Sequence, residues 1–239
     1  MGFVCGGISD KGDFRENNED SIFFGVRQAG DGQVCLALVC DGIGGLRDGE
    51  IAAGMITSHM QSWFNGFYSS RSFEDICKLL LMNINMINTV IYEKTQMEDI
   101  QTGSTLAALL LWGDRYFAAN VGDSRIYLVS NSVSMISEDD VVTVNVGGES
   151  RTRLSQCIGN SPNIYINNSS GDIDARTAFI VCSDGFYKRV TEAQMKKLCT
   201  HIKSEKDCIK NAGAGVSFVR QKGERDNVSC IIAKYIKSS

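Results

Sequence analysis

Short apolar runs of strand length punctuate this chain, separated by two long stretches of helical period. Val34 to Cys40 reads Val-Cys-Leu-Ala-Leu-Val-Cys, a run without alternation, which predicts a strand covered on both faces. It stops at Asp41-Gly42-Ile43-Gly44-Gly45, and a second such strand, Ala178 to Ser183, stops at Asp184-Gly185. Phe3 to Ile8 and Ser21 to Val26 predict two earlier strands, with hairpin chemistry at Ala29-Gly30-Asp31-Gly32. Asp20 and Asp41 are equidistant from the Gly30–Asp31 bond, so antiparallel pairing places them at the same end of the sheet.

The helical stretches follow. Ile51, Ala52, Met55, Ile56, His59, Met60, Trp63, Phe64 and Phe67 make one apolar stripe, on which His59 reads as a satisfied core histidine. Ser72 with Asp75 predicts an N-cap for a second stripe of Phe73, Ile76, Cys77, Leu80, Ile84, Ile87 and Ile91. From Gly103 the period returns to strands: Ser104 to Leu111, Arg115 to Val121 and Arg125 to Ser130 read as a meander. Its turns are Gly113-Asp114 and Gly122-Asp123-Ser124, and the hairpin about Gly113 sets Asp123 level with Gly103. Ser137 to Ser150 shows no period and contains Gly147-Gly148, which predicts a mobile loop. Thr191 with Gln194 and Ser204 with Asp207 predict two more helix starts, and Val228 to Tyr235 closes the chain as a strand.

Composition narrows the classes. At 239 residues and 43% hydrophobic content, one compact domain with a sizeable core is expected. A net charge of −4 argues against general affinity for nucleic acid or anionic membrane, and no apolar run reaches the length of a membrane span. Nine cysteines without a C-x-x-C pair read as reduced, buried thiols of a cytoplasmic protein. With only His59 and His201 as imidazoles, a zinc site is not expected.

The carboxylates carry the chemistry. Asp41 and Asp184 follow buried strands, while Asp20 and Asp226 precede strands, so one sheet edge collects all four. Each alone is also an ordinary Asp-Gly or loop residue. Together they repel one another as bare anions, and an oxygen-only set of this kind suits magnesium or manganese.

Arg15-x-x-Asn18-Glu19-Asp20, Asp41-Gly42-x-Gly44-Gly45, Gly103-Ser104-Thr105, Ala119-Asn120-Val121-Gly122-Asp123-Ser124-Arg125, Ser183-Asp184-Gly185 and Asp226-Asn227-Val228-Ser229 occur in this order. In these motifs the chain resembles the metal-dependent serine/threonine protein phosphatases of the protein phosphatase 2C family, closest to the small bacterial members, from about Gly2 to Tyr235. The resemblance implies an α+β fold, a four-layer α/β/β/α sandwich of two antiparallel sheets flanked by helix pairs, as a single phosphatase domain over residues 1–239. It further implies two divalent cations, Mn2+ or Mg2+, bridged by Asp41, with the Gly42 carbonyl on one and Asp184 and Asp226 on the other. Glu19 and Asp20 would hold water at those ions, Arg15 would clamp the substrate phosphate, and Asp123 would help bind a third, weaker ion. The implied reaction is hydrolysis of a phosphorylated Ser/Thr protein, the product of an opposing protein kinase, by a hydroxide bridging the two ions.

Two departures stand out. Position 43 is isoleucine, where many eukaryotic members carry a histidine thought to protonate the leaving group; bacterial members are apolar there too, which leaves that proton to water at the ions. The flap-like loop, about residues 137–153, is shorter than in bacterial relatives and lacks their His-Pro element, which bears on substrate choice. The rival reading is a catalytically silent phosphoprotein-binding regulatory module of the same fold, which would be expected to have lost metal aspartates. Cys40 and Cys182, next to the aspartates, point to the opposite strand face and read as core.

Overall fold

The computed structural model describes residues 2–29, 32–43, 49–66, 72–147 and 149–236. The chain forms β1 (Gly2–Asp10), β2 (Asp20–Ala29), β3 (Gly32–Asp41), α1 (Gly49–Asn65), α2 (Phe73–Glu98), β4 (Leu106–Trp112), β5 (Arg115–Val121) and β6 (Arg125–Val129). It continues through β7 (Val133–Met135), β8 (Val141–Val146), β9 (Glu149–Leu154), β10 (Asn167–Asp172), β11 (Ala178–Cys182), α3 (Asp184–Tyr187), α4 (Glu192–Leu198), α5 (Glu205–Gln221) and β12 (Val228–Ile236). Two five-stranded antiparallel sheets result, ordered β10-β5-β4-β3-β2 and β1-β12-β11-β6-β7.

The period of two within each central strand builds the layers. In β3, Leu36, Leu38 and Cys40 face α1 and α2, meeting Ile56, Met60, Leu80 and Ile84. Cys35, Ala37 and Val39 face the other sheet, meeting Phe179, Val181, Ile231 and Ala233. On the far side, Ile180, Cys182, Cys230 and Ile232 pack on Cys208, Ala212, Val216 and Val219 of the α4–α5 side. Three apolar cores therefore separate four layers, which is the α/β/β/α sandwich expected. It also explains the unbroken apolar runs Val34–Cys40 of β3, Ala178–Cys182 of β11 and Cys230–Ala233 of β12: both faces are covered. All nine cysteines are free and buried.

Helix ends follow the sequence. Ser72 and Asp75 form a reciprocal capping box, as do Thr191 and Gln194, and the Ser204 side chain accepts from the Asp207 N–H. His59 is half-buried with its ring Nε2 3.2 Å from Asn83 Oδ1, while Ile51 falls off the stripe and is exposed. Phe67, the Gly30-Asp31 turn tip, Gly44-Gly45 and Gly148 lie outside the described residues.

Three expectations are corrected. The run β4-β5-β6 is not one meander: the Gly122-Asp123-Ser124 turn hands the chain from one sheet to the other. The free edge of β5 is taken instead by β10, whose sequence Asn-Asn-Ser-Ser-Gly-Asp carries no apolar signal. The β4–β5 ladder ends at Leu106↔Val121, a register that counts Asp123 level with Ser104 rather than Gly103, while Ser104 itself bridges Gly42 and Ile158. The loop expected at 137–150 contains β8, paired with β9 as a two-stranded hairpin from Val141↔Leu154 to Val146↔Glu149. Most of its described side chains are exposed, so neither strand needed the alternation that marks a buried face.

Leu38 is fully buried, between Phe23 on β2 and Ala108 on β4. Leu38→Ala should lower the free energy of unfolding by about 2–5 kcal/mol. Thr152→Ala, on the exposed hairpin, should stay within about 0.5 kcal/mol of wild type. Urea melts of the two variants check this; equal losses would show that the hairpin carries core stability.

Candidate active site

The ends of both sheets meet in one small cleft. Arg15, Glu19, Asp41, Gly42, Ile43, Thr105, Asp123, Leu154, Asp184 and Asp226 line it, around a cavity of ≈ 130 Å³. Larger grooves exist elsewhere, but the α4–α5 groove is lined by Val190, Leu198, Phe218 and neighbours with no carboxylate among them. Asp20 lies beneath the cleft, 7% exposed, in register with Asp41 as their spacing required.

Asp41 is held at its backbone. Its N–H donates to Thr105 Oγ1 (3.0 Å), and its carbonyl accepts from Ser104 Oγ (3.0 Å) and the Thr105 N–H (2.9 Å). Thr105 Oγ1 in turn lies 2.7 Å from Ser124 Oγ, next to Asp123. Gly42 donates its N–H to the Glu19 carbonyl (3.1 Å), and a Cβ on Gly42 would overlap the Gly49 carbonyl. Only glycine allows the Gly49 and Glu19 backbones to approach so closely beside Asp41.

The other sheet presents its carboxylates through serine and asparagine. Ser183 Oγ donates to Asp20 Oδ2 (2.8 Å) and accepts from the Ser229 N–H (3.0 Å), joining the start of β2 to β11 and β12. Asn227 Oδ1 accepts from the Glu19 N–H (2.9 Å), while its Nδ2 donates to the Lys11 and Asn17 carbonyls. The 11–19 segment, which carries Arg15 and Glu19, is thus tied to the start of β12. Arg15 Nη2 lies 2.8 Å from Asp226 Oδ1, and Lys188 Nζ donates to Asp184 Oδ2 (2.5 Å).

Packing so many anions together shifts their protonation. Burial, then the charges of Asp20, Asp184, Asp123 and Asp226, pushes the Asp41 carboxyl well above the usual range. Burial, with Asp184 and Asp226, raises Asp20 to about 7 despite hydrogen bonds from Ser229 and Ser183. Asp123 rises to about 6 through burial and Asp184, against the nearby Lys188. Asp20 Oδ1 is buried without a hydrogen-bond partner. Among the described residues no three acidic, His or Cys side chains already converge as a metal cage, since Asp226 turns to Arg15 and Asp184 to Lys188. The donors nevertheless fit a hard divalent cation: carboxylate and carbonyl oxygens line the cleft, with no thiol or imidazole among its lining residues.

Every residue singled out for the site except Asp20 lines this cleft, and Asp20 supports it from below. Lys188 and Leu154 were not anticipated. Ser104, Thr105, Ser183 and Asn227 stood within the quoted motifs, yet only the hydrogen bonds reveal what each hydroxyl or amide holds. Their signal was adjacency: each precedes or follows an acidic residue or its partner strand.

Comparison with known proteins identifies the family. The family profile described as Protein phosphatase 2C matches residues 15–211. The chain is 26% identical to the serine/threonine phosphatase stp of Listeria innocua over 241 residues, spanning 95% of this chain and 93% of that one. In three dimensions it superposes on the serine/threonine phosphatase Stp1 from Staphylococcus aureus with a TM-score of 0.85 at 21% identity, covering 99% of this chain and 96% of that one. It also superposes on the catalytic domain of the serine/threonine protein phosphatase PstP in complex with 2 manganese ions, with a TM-score of 0.77 at 23% identity and coverage of 98% and 99%. With most of its length matched by the profile, and the site motifs gathered at one cleft, the chain belongs to the protein phosphatase 2C family.

Proposed function

We propose that this phosphatase hydrolyses phosphoserine and phosphothreonine in protein substrates by a metal-dependent route, with Asp41 at its centre. The observation that carries the reading is the meeting of Asp41, Asp184, Asp226 and the Gly42 backbone in one oxygen-lined cleft beside Arg15. Asp41, the Gly42 carbonyl, Asp184 and Asp226 would hold the divalent cations, manganese or magnesium, with Asp41 the ligand the ions have in common. Glu19 and Asp20 would hold water at the ions, and Asp123 would help hold a further, weaker one. When bound, such ions supply a hydroxide nucleophile near neutral pH and neutralise phosphoryl charge.

The chain's own residues do the rest. Arg15 presents a planar fork suited to two phosphoryl oxygens, and its place beside Asp226 puts that fork at the carboxylate rim. Ile43 and Leu154 give the cleft an apolar wall that limits water around the ester oxygen. No side-chain nucleophile enters this route: among the described lining residues there is no cysteine or serine, Thr105 Oγ1 is engaged by the Asp41 N–H and Ser124, and Cys40 and Cys182 are buried in the helix-facing cores. A silent binding module is disfavoured, because its cleft would have no use for a full set of mutually repelling carboxylates. One phosphatase domain, with the β8–β9 hairpin as its flap, accounts for the described residues. Its substrate is the product of a protein kinase, and no helix among the described residues is long and apolar enough to cross a membrane.

Three outcomes test this. Exhaustive chelation should abolish hydrolysis of a phosphothreonine peptide, and added Mn2+ should restore it; activity that survives chelation would sink the metal-dependent route. Arg15→Ala should raise the KM for phosphopeptide roughly 10- to 100-fold, the worth of hydrogen bonds to a charged group, while Mn2+ affinity stays nearly intact. Unchanged phosphopeptide kinetics would make Arg15 a bystander. Asp41→Asn should cut kcat by more than the ~100-fold typical of residues that only support a ligand. It should also melt no lower than wild type in chelator, since one member of a repelling cluster is neutralised, and gain less from Mn2+. Equal Mn2+ stabilisation of both proteins would remove Asp41 from the site.

A further inference from the structure

Asp226 sits on the turn between α5 and β12, and the half-buried side chain of Arg220 reaches its backbone. Arg220, in the last turn of α5, is 17% exposed and spends its guanidinium on backbone and carboxylate acceptors at two places. Toward the cleft, Nη1 donates to the Asp226 carbonyl (2.6 Å) and more weakly to the Glu224 carbonyl (3.5 Å). Away from it, Nε donates to Asp10 Oδ1 (2.8 Å), and Nη2 donates to the Asp10 carbonyl (2.7 Å) and lies 2.7 Å from Asp10 Oδ1. Asp10 ends β1, paired with Val228 at the start of β12, and opens the turn that leads to Arg15. That turn is shaped around the guanidinium: Gly12 has φ +76°, and a Cβ there would overlap Arg220.

We infer that Arg220 is a positioning residue for the metal centre, fixing the Asp226 backbone against the end of β1 so that the Asp226 carboxylate stays aimed into the cleft. The inference rests on the metal-dependent reading above. A guanidinium does this where an ammonium cannot, because its fixed fork serves acceptors on two separate segments at once. The other contacts of the turn leave room for that role. Glu224 Oε1 accepts from the Arg225 and Asp226 N–H groups, and its Oε2 accepts from Arg189 Nε, which tethers the turn toward α3. Arg220 supplies the matching tether on the β1 side, so the Asp226 backbone is held at its N–H by Glu224 and at its carbonyl by Arg220.

The test separates positioning from plain stability. Wild type, Arg220→Lys and Asp10→Asn are stripped with chelator, then titrated with Mn2+ and followed by calorimetry and by melting temperature. Arg220→Lys keeps the charge but loses the fork, and should weaken apparent Mn2+ affinity roughly 10- to 100-fold, the usual cost of losing a partner that orients a ligand. Its kcat on phosphopeptide should return toward wild type at saturating Mn2+. Asp10→Asn keeps the carbonyl contact and loses only the charged one, so it should weaken Mn2+ in the same direction by less, and it carries the test if Arg220→Lys does not fold. A variant that melts lower in chelator yet binds Mn2+ as wild type does would show a structural strut and overturn the inference. Wild type that fails to bind Mn2+ at all would overturn the metal reading itself, and this inference with it.

Discussion

Like charge held at close range is the constraint on which this structure turns. Burial and the neighbouring carboxylates push the Asp20, Asp41 and Asp123 carboxyls above their ordinary range, so the cluster they form with Asp184 and Asp226 resists being assembled. Three packed cores and two five-stranded sheets hold it together regardless. Each carboxylate leaves from a strand end or the turn beside it, where the backbone is fixed by the ladder on one side and by short hydroxyl and amide bonds on the other. A site on free loops would relax such repulsion by moving apart. Here relaxation is limited to which cation each side chain meets.

That division explains what the sequence revealed. Residues buried on both faces, as in Val34–Cys40 of β3 and Ala178–Cys182 of β11, announce themselves as unbroken apolar runs because apolar neighbours cover both sides. The pairing of Asp20 with Asp41 was legible for the same reason: a short hairpin fixes register by counting. The helix caps at Ser72, Thr191 and Ser204 were legible because the cap is a local interaction.

What stayed hidden depends on distant partners. β10 is polar and is a strand only because β5 offers it an edge, and β8 and β9 pair with each other in solvent. The change of sheet at Gly122 could not be read from the turn, since a meander and a crossing share the same local chemistry. The same holds for Lys188 and Arg220. Nothing beside them in the chain tells a charged helix end from one that reaches an aspartate of the site, and only the folded geometry does.

The nine cysteines have a consequence for how this chemistry stands up to its surroundings. Every thiol is buried and none lines the cleft, and for Cys40 and Cys182, the two beside the aspartates, burial holds the sulfur in its protonated form. Oxidants and alkylating agents act on the exposed thiolate. Peroxide that silences an enzyme with a nucleophilic cysteine therefore has no target in this cleft. The oxygen ligands of the lining give a thiol-directed oxidant nothing to modify while the sandwich stays closed.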